Sequence, residues 1–276
     1  MNINELKQLS LLYFIGRLNP PHNGHISALI QLIDMAKTVN SVPLILLGNG
    51  PKLGNPLDNP ITFDLKKQFI EFKLNEMKGF VSNTDYIIKE MTNPADNVSD
   101  YLKICLGKIP QHLDTINIIH IAGGKDEDAI KLDFIKKFAF NTAFELKPNT
   151  DSITVKTEII EPVTVGTVNM SGTIVRKDAY KHYLNGDGLN GFLQEKYGIY
   201  ETFYGPMAAD IYNGIINPAL QKDRINVEAY LDPSIQLGPA TKRARTIKKG
   251  GNNYNKQRYN KTNKKRKRNK TKRIYI

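Results

Sequence analysis

The stretch GRLNPPHNGH, residues 16–25, decides how this chain reads. It follows a short apolar run, Leu11–Ile15, breaks at Pro20 and Pro21, and places His22 and His25 at the start of a helical pattern. That pattern carries Ile26, Leu29, Ile30 and Ile33 at the spacing of one buried helix face. Two histidines at i and i+3 share one side of a helical turn. At a helix start, unpaired backbone N–H groups and the helix dipole favour an anion. Gly16 lets the chain turn and a ligand approach the backbone, and Gly24 permits close packing at the helix start. Imidazoles beside a phosphate donate hydrogen bonds to oxygens whose charge grows during transfer. The competing reading is two structural histidines in a turn. A zinc pair fits poorly, because helical zinc pairs are usually spaced i, i+4 and no third ligand is evident; no metal-ligating residues are expected.

Outward from this stretch the body alternates strands and helices. Val42–Leu47 reads as a second strand, Thr62–Lys78 as a helix with Thr62 as N-cap, and Tyr86–Ile88 as a strand. Val98–Leu106 reads as a helix, Ile116–Ala122 as the clearest strand, and Ala129–Phe138 as a helix after Gly123-Gly124. Ile153–Ile160 gives a further strand, and Ser171 opens another helix. Alternation of this kind implies a doubly wound, parallel α/β sheet of Rossmann-like type. In such sheets ligands bind beyond the carboxyl ends of the strands, where His22 and His25 fall. The organisation expected is one α/β domain over 1–200, a helical extension over 201–240 and a disordered basic tail over 241–276.

Three segments carry a family resemblance. GRLNPPHNGH resembles the signature G-R-[FM]-x-P-x-H-x-G-H of the HxGH nucleotidyltransferase superfamily. NPITFDLKKQFI (59–70) resembles the N-P-F-T-x-x-E-R-x-x-M-I stretch of archaeal-type nicotinamide mononucleotide adenylyltransferases. MSGTIVRKDAY (170–180) resembles their S-G-T-x-V-R motif, and HIAGGKDED (120–128) sits where the family has a strand-end G-x-D segment. The likeness spans about residues 11–200 and implies that the 1–200 domain is a nucleotidyltransferase domain.

The resemblance implies an enzyme that transfers AMP from ATP to a phosphorylated acceptor, with nicotinamide mononucleotide giving NAD and pyrophosphate. It implies His22, His25 and Arg176 as catalytic groups. Gly16, Arg17, Asn19, Gly24, Lys52, Gly124, Asp126, Ser171, Gly172 and Thr173 are implied as nucleotide-binding, and Mg²⁺ as accompanying the ATP. The residues agree in kind: Ser171 and Thr173 open a helix, and Arg176 one turn on can fork two phosphate oxygens. Each also has a plainer reading. The first is an ordinary N-cap with a surface arginine, and the second a solvated loop lysine at 52. The third is a cap of the next helix at Lys125-Asp126. The chain departs from the family at Asn19, usually Gln, and at Leu65-Lys66, usually Glu-Arg. It has no Trp for the nicotinamide ring, leaving Tyr86 or Tyr101 as substitutes. Those departures leave another phosphorylated acceptor (a pantetheine, flavin or sugar phosphate) open as the alternative.

The net charge of +12 is unevenly placed. The 16 Lys and Arg from Thr241 onward leave 23 of the 39 basic side chains for residues 1–240, against all 27 acidic ones, a net of −4. The tail has almost no aliphatic residues and is expected to be disordered. Its Lys264–Arg268 block suits nucleic acid or an import receptor, or else serves solubility alone. A non-catalytic nucleotide fold that binds nucleic acid through this tail is therefore a third reading. Cys105 is the only cysteine, which excludes an internal disulfide and a zinc–thiolate cluster. No run approaches a membrane span, and the first ten residues lack a signal peptide's pattern. A cytoplasmic or nuclear protein without membrane partners is expected. Homo-oligomerisation stays open, since relatives often assemble symmetrically.

Overall fold

The computed structural model describes residues 7–52, 55–109, 113–123, 133–160, 170–220 and 224–234. Five strands form one parallel sheet: β1 (Gln8–Gly16), β2 (Leu44–Gly48), β3 (Ile87–Met91), β4 (Thr115–Gly123) and β5 (Ser152–Ile160). Their order is β3-β2-β1-β4-β5. This is an α/β, doubly wound, Rossmann-like fold, as the alternating pattern implies. The near-continuous Leu and Ile runs of β1, β2 and β4 suit strands covered on both faces.

Leu12, Phe14, Ile45, Leu47, Ile119 and Ile121 point to one face, and Leu11, Tyr13, Leu44, Leu46, Ile116 and Ile118 to the other. The first face is covered by α1 (Asn23–Thr38), α2 (Phe63–Lys78), α5 (Gly172–Asn185), α6 (Gly188–Tyr204), α7 (Ala208–Leu220) and α8 (Arg224–Leu231). The second is covered by α3 (Pro94–Leu106) and α4 (Asp133–Leu146). Chain order reverses between β1 and β4, so the crevice beyond their carboxyl ends is the expected ligand position.

Two helix boundaries differ from the sequence expectation. Helix α3 begins at Pro94 rather than Val98, because the Asn93 side chain accepts from the Ala95 N–H at 3.1 Å and Pro94 suits the first turn. Helix α4 is described from Asp133 and runs on to Leu146, beyond the expected Phe138. The expected boundary at residue 200 falls inside α6. Phe203, Tyr204, Ile211, Tyr212 and Val227 beyond it share one core with Leu12 and Phe14. Contacts divide the chain into Met1–Leu237 and Gly238–Ile276, and every described residue lies in the first unit. Among the described residues no helix is long and apolar enough to cross a membrane.

Candidate functional site

Strand β1 ends at Gly16, and the chain crosses the sheet edge through Arg17–Pro21 before α1 begins. Leu18 is buried at φ +42, a left-handed conformation that costs a non-glycine residue free energy, and Asn19–Pro20 is a cis peptide. Asn19 Oδ1 accepts from the Ile61 N–H at 2.9 Å, so this buried side chain is committed to the 59–61 segment. Tyr204 on α6 donates its hydroxyl to the Pro21 carbonyl at 3.0 Å. The loop is thus held from two sides, which a ligand site needs if its backbone groups are to stay aimed.

His22 occupies the N-cap of α1 in extended conformation. Its backbone N–H donates to His25 Nδ1 at 3.3 Å, and the two rings lie 3.7 Å apart. That acceptor role places the proton of a neutral His25 on Nε2. A Cβ at Gly24 would meet His22 Cε1 at 3.2 Å, so glycine lets the His22 ring lie against the first turn. A Cβ at Gly16 would meet the Phe14 ring at 2.6 Å, so Gly16 answers to packing.

Helix α5 starts beside the same loop. Ser171 caps it, accepting from the Ile174 N–H at 3.3 Å. A Cβ at Gly172 would lie 2.9 Å from the Asn19 carbonyl oxygen, so only glycine allows this approach. Arg176 is 8% exposed. Its guanidinium donates to the Asn19 carbonyl, to Thr173 Oγ1 at 3.2 Å and to the Tyr230 hydroxyl at 3.1 Å, and lies 3.8 Å from Asp58. An arginine expected to grip phosphate is here a strut between α5 and the loop.

Arg17 is exposed at the rim. Lys52 has a 73% exposed side chain, and its ammonium lies 3.1 Å from Glu90 at the end of β3. Asn49 donates to the same Glu90 oxygen at 2.9 Å. The hydrogen bonds from Asn49 and then Lys52 hold the Glu90 carboxyl below the usual carboxylate range. Gly124 and Asp126 lie outside the described residues. Tyr86 and Tyr101 are both buried, Tyr101 donating to the Val42 carbonyl at 2.7 Å, so neither is placed to stack on a ligand.

Lys66, in sequence only a departure from the family's Glu-Arg, has a structural role that its place in the motif did not suggest. It is buried on the inner face of α2 and donates to the Arg17 carbonyl at 2.8 Å and to the Gly48 carbonyl. It therefore joins the carboxyl ends of β1 and β2 beneath the loop. Burial pushes its ammonium down to about 8, against a smaller opposing pull from Glu90. A signal was present: position 66 falls on the stripe of Phe69, Ile70, Lys73 and Leu74. Among the described residues no group of three or more His, Cys, Asp and Glu could hold a metal ion.

No protein-family model matches the chain, and no curated protein matches it. Among solved structures it is similar to Thermotoga maritima TmcAL bound with alpha-thio ATP, at 10% identity and a TM-score of 0.35 over 76% of this chain. The chain spans 56% of that one's length. A likeness at this level assigns neither ligand nor activity here.

Proposed function

We propose that this chain is an adenylyltransferase that transfers AMP from ATP to a phosphorylated acceptor, nicotinamide mononucleotide being the acceptor the sequence resemblance implies. One observation carries the reading: the N-termini of α1 and α5 converge on the 17–21 loop at the topological switch point, with His22 and His25 at the first. Two helix starts there supply N–H donors and positive dipole ends for a chain of phosphates.

In this reading an acceptor phosphate oxygen attacks the α phosphorus of ATP. The bond from that phosphorus to the bridging oxygen breaks, and pyrophosphate leaves with the electron pair. His22 and the Nε2–H of His25 donate to α-phosphate oxygens as charge builds in the transition state. Ser171, Gly172 and Thr173 present the α5 N-terminus to the leaving phosphates, and Arg17 and Lys52 supply charge at the rim. Arg176 and Asn19 act by position, fixing α5 and the 59–61 segment against the loop. The resemblance adds Gly124 and Asp126 for the ribose or base. Mg²⁺ arrives on the triphosphate as part of the substrate and keeps several of its waters, so it needs no dedicated carboxylate cage.

The test is pyrophosphate release by the full chain with ATP, Mg²⁺ and either nicotinamide mononucleotide or a panel of other phosphorylated acceptors. NAD formation supports the whole reading. Release with another acceptor alone keeps the chemistry and replaces the substrate. No release with any acceptor overturns it.

A further inference from the structure

Helix α4 is apolar on two opposite faces. Its inner stripe, Ile135, Ala139 and Ala143, is buried against the sheet. Its outer side carries Phe134, Phe138, Phe140 and Phe144 at 50%, 51%, 42% and 54% exposure. Four half-exposed aromatic rings on one helix are more than scattered surface apolar residues. At roughly 200 Å² per phenylalanine, these half-exposed rings offer about 400 Å² of apolar surface, within the range where a monomer's largest patch is often functional.

We propose that this face is a self-association surface that takes a second copy of the chain, with the two α4 helices antiparallel about a two-fold axis at Asn141. The outward stripe reads Phe134, Lys137, Phe138, Asn141, Phe144 and Glu145, all exposed. Around position 141 it is complementary to its own reverse. In an antiparallel pair, residue 141 − n meets residue 141 + n of the other copy. Phe138 then meets Phe144, and Lys137 meets Glu145, each pairing occurring twice, as an isologous interface requires. Reversed charges at matched distances from a shared centre favour the same helix over an unrelated apolar partner. The three rings of this stripe offer about 300 Å², so two copies together remove about 600 Å² of apolar surface. At the roughly 65% apolar share of homodimer interfaces, this corresponds to a total near 900 Å², the size of a weak, concentration-dependent contact.

Sedimentation of the full chain over a range of micromolar concentrations should show a monomer–dimer equilibrium. Lys137→Glu should weaken it at least about tenfold, and Lys137→Glu combined with Glu145→Lys should restore it to within about threefold. Asn141→Cys should give a disulfide-linked dimer on mild oxidation, because facing positions of packed helices bring Cα atoms within bridging range. Asn75→Cys, exposed on α2, should not. A chain that stays monomeric to about 100 μM, well above the range of a specific dimer, overturns the proposal. So does an oligomer insensitive to Lys137→Glu, or one that fails to cross-link through position 141. If Lys137→Glu misfolds, Glu145→Lys alone, which sets Lys137 against a lysine, and the cross-link decide.

Discussion

The ammonium of Lys66 donates to the main-chain carbonyl of Arg17 at 2.8 Å, tying α2 to the loop that leads into His22. A buried cation reaching two strand ends is a costly way to fix a loop, and its cost depends on protonation. Burial lowers Lys66 to about 8, whereas the unfolded chain holds the proton to about 10.4. Between those values the unfolded state binds more protons than the folded one, so this group's contribution to stability rises with pH. Urea unfolding at pH 8 and pH 10 should show wild type gaining about 2–3 kcal/mol relative to Lys66→Met across the interval. A constant difference between the two proteins would contradict this role.

His120 makes the opposite end of the pH range informative. It is buried on β4, stacked on Tyr13 at 5.0 Å, and neither ring nitrogen finds a hydrogen-bond partner among the described residues. Burial, aided by Lys136 and opposed by Asp133, pushes the imidazole down to about 4. The unfolded chain takes up the proton near 6.5, so this contribution is present above 6.5 and is lost as pH falls toward 4. His120→Phe should remove that loss and be about 2 kcal/mol more stable relative to wild type at pH 5 than at pH 7. Denaturant midpoints at the two values check it.

Gly172 reports on the approach of α5 to the loop. An alanine there places Cβ 2.9 Å from the Asn19 carbonyl oxygen, which is backbone and must shift. Gly172→Ala should lower kcat/KM for ATP at least about tenfold, since small misplacements of a positioned group cost this much. Near-UV circular dichroism should stay close to wild type. Unchanged kinetics would remove the α5 N-terminus from the site.

Helix α6 contains a reversal that the sequence hides. Lys196 and Tyr197 stand at φ +49 and +62, with Gly198 at +76. Lys196 is held there by its contact with Asp178, while Tyr197 is fully exposed. Tyr197→Gly should therefore stabilise the fold by about 0.5–1 kcal/mol, because glycine adopts this conformation without the Cβ penalty. Thermal unfolding measures it.

The sheet was legible because Leu and Ile runs between polar turns leave few other readings. Asn93-Pro94 was a readable helix start, overlooked because the apolar spacing only begins at Val98. The convergence on the loop was less legible. Asn19 and Arg176 are polar residues of a motif that normally faces ligand. Only the packing shows Asn19 spent on Ile61 and Arg176 on the Asn19 carbonyl, 157 residues away in sequence. Lys66 was hidden for a related reason: lysine on an amphipathic helix suggests solvent until the strand ends it must reach are known. The left-handed turn at 196–197 had no local signal beyond Gly198, and the Asp178 that Lys196 contacts lies 18 residues earlier.

In the proposed reaction His22 and the α5 N-terminus act on opposite ends of one triphosphate. The most direct measurement follows label from ATP carrying radioactive phosphorus at the α position, with the full chain, Mg²⁺ and nicotinamide mononucleotide. The account predicts that the α label enters NAD in step with pyrophosphate. It also predicts that His22→Ala slows this at least about a hundredfold while the protein stays folded. ATP that binds but never passes its α label to this acceptor or to any other phosphorylated acceptor would contradict it.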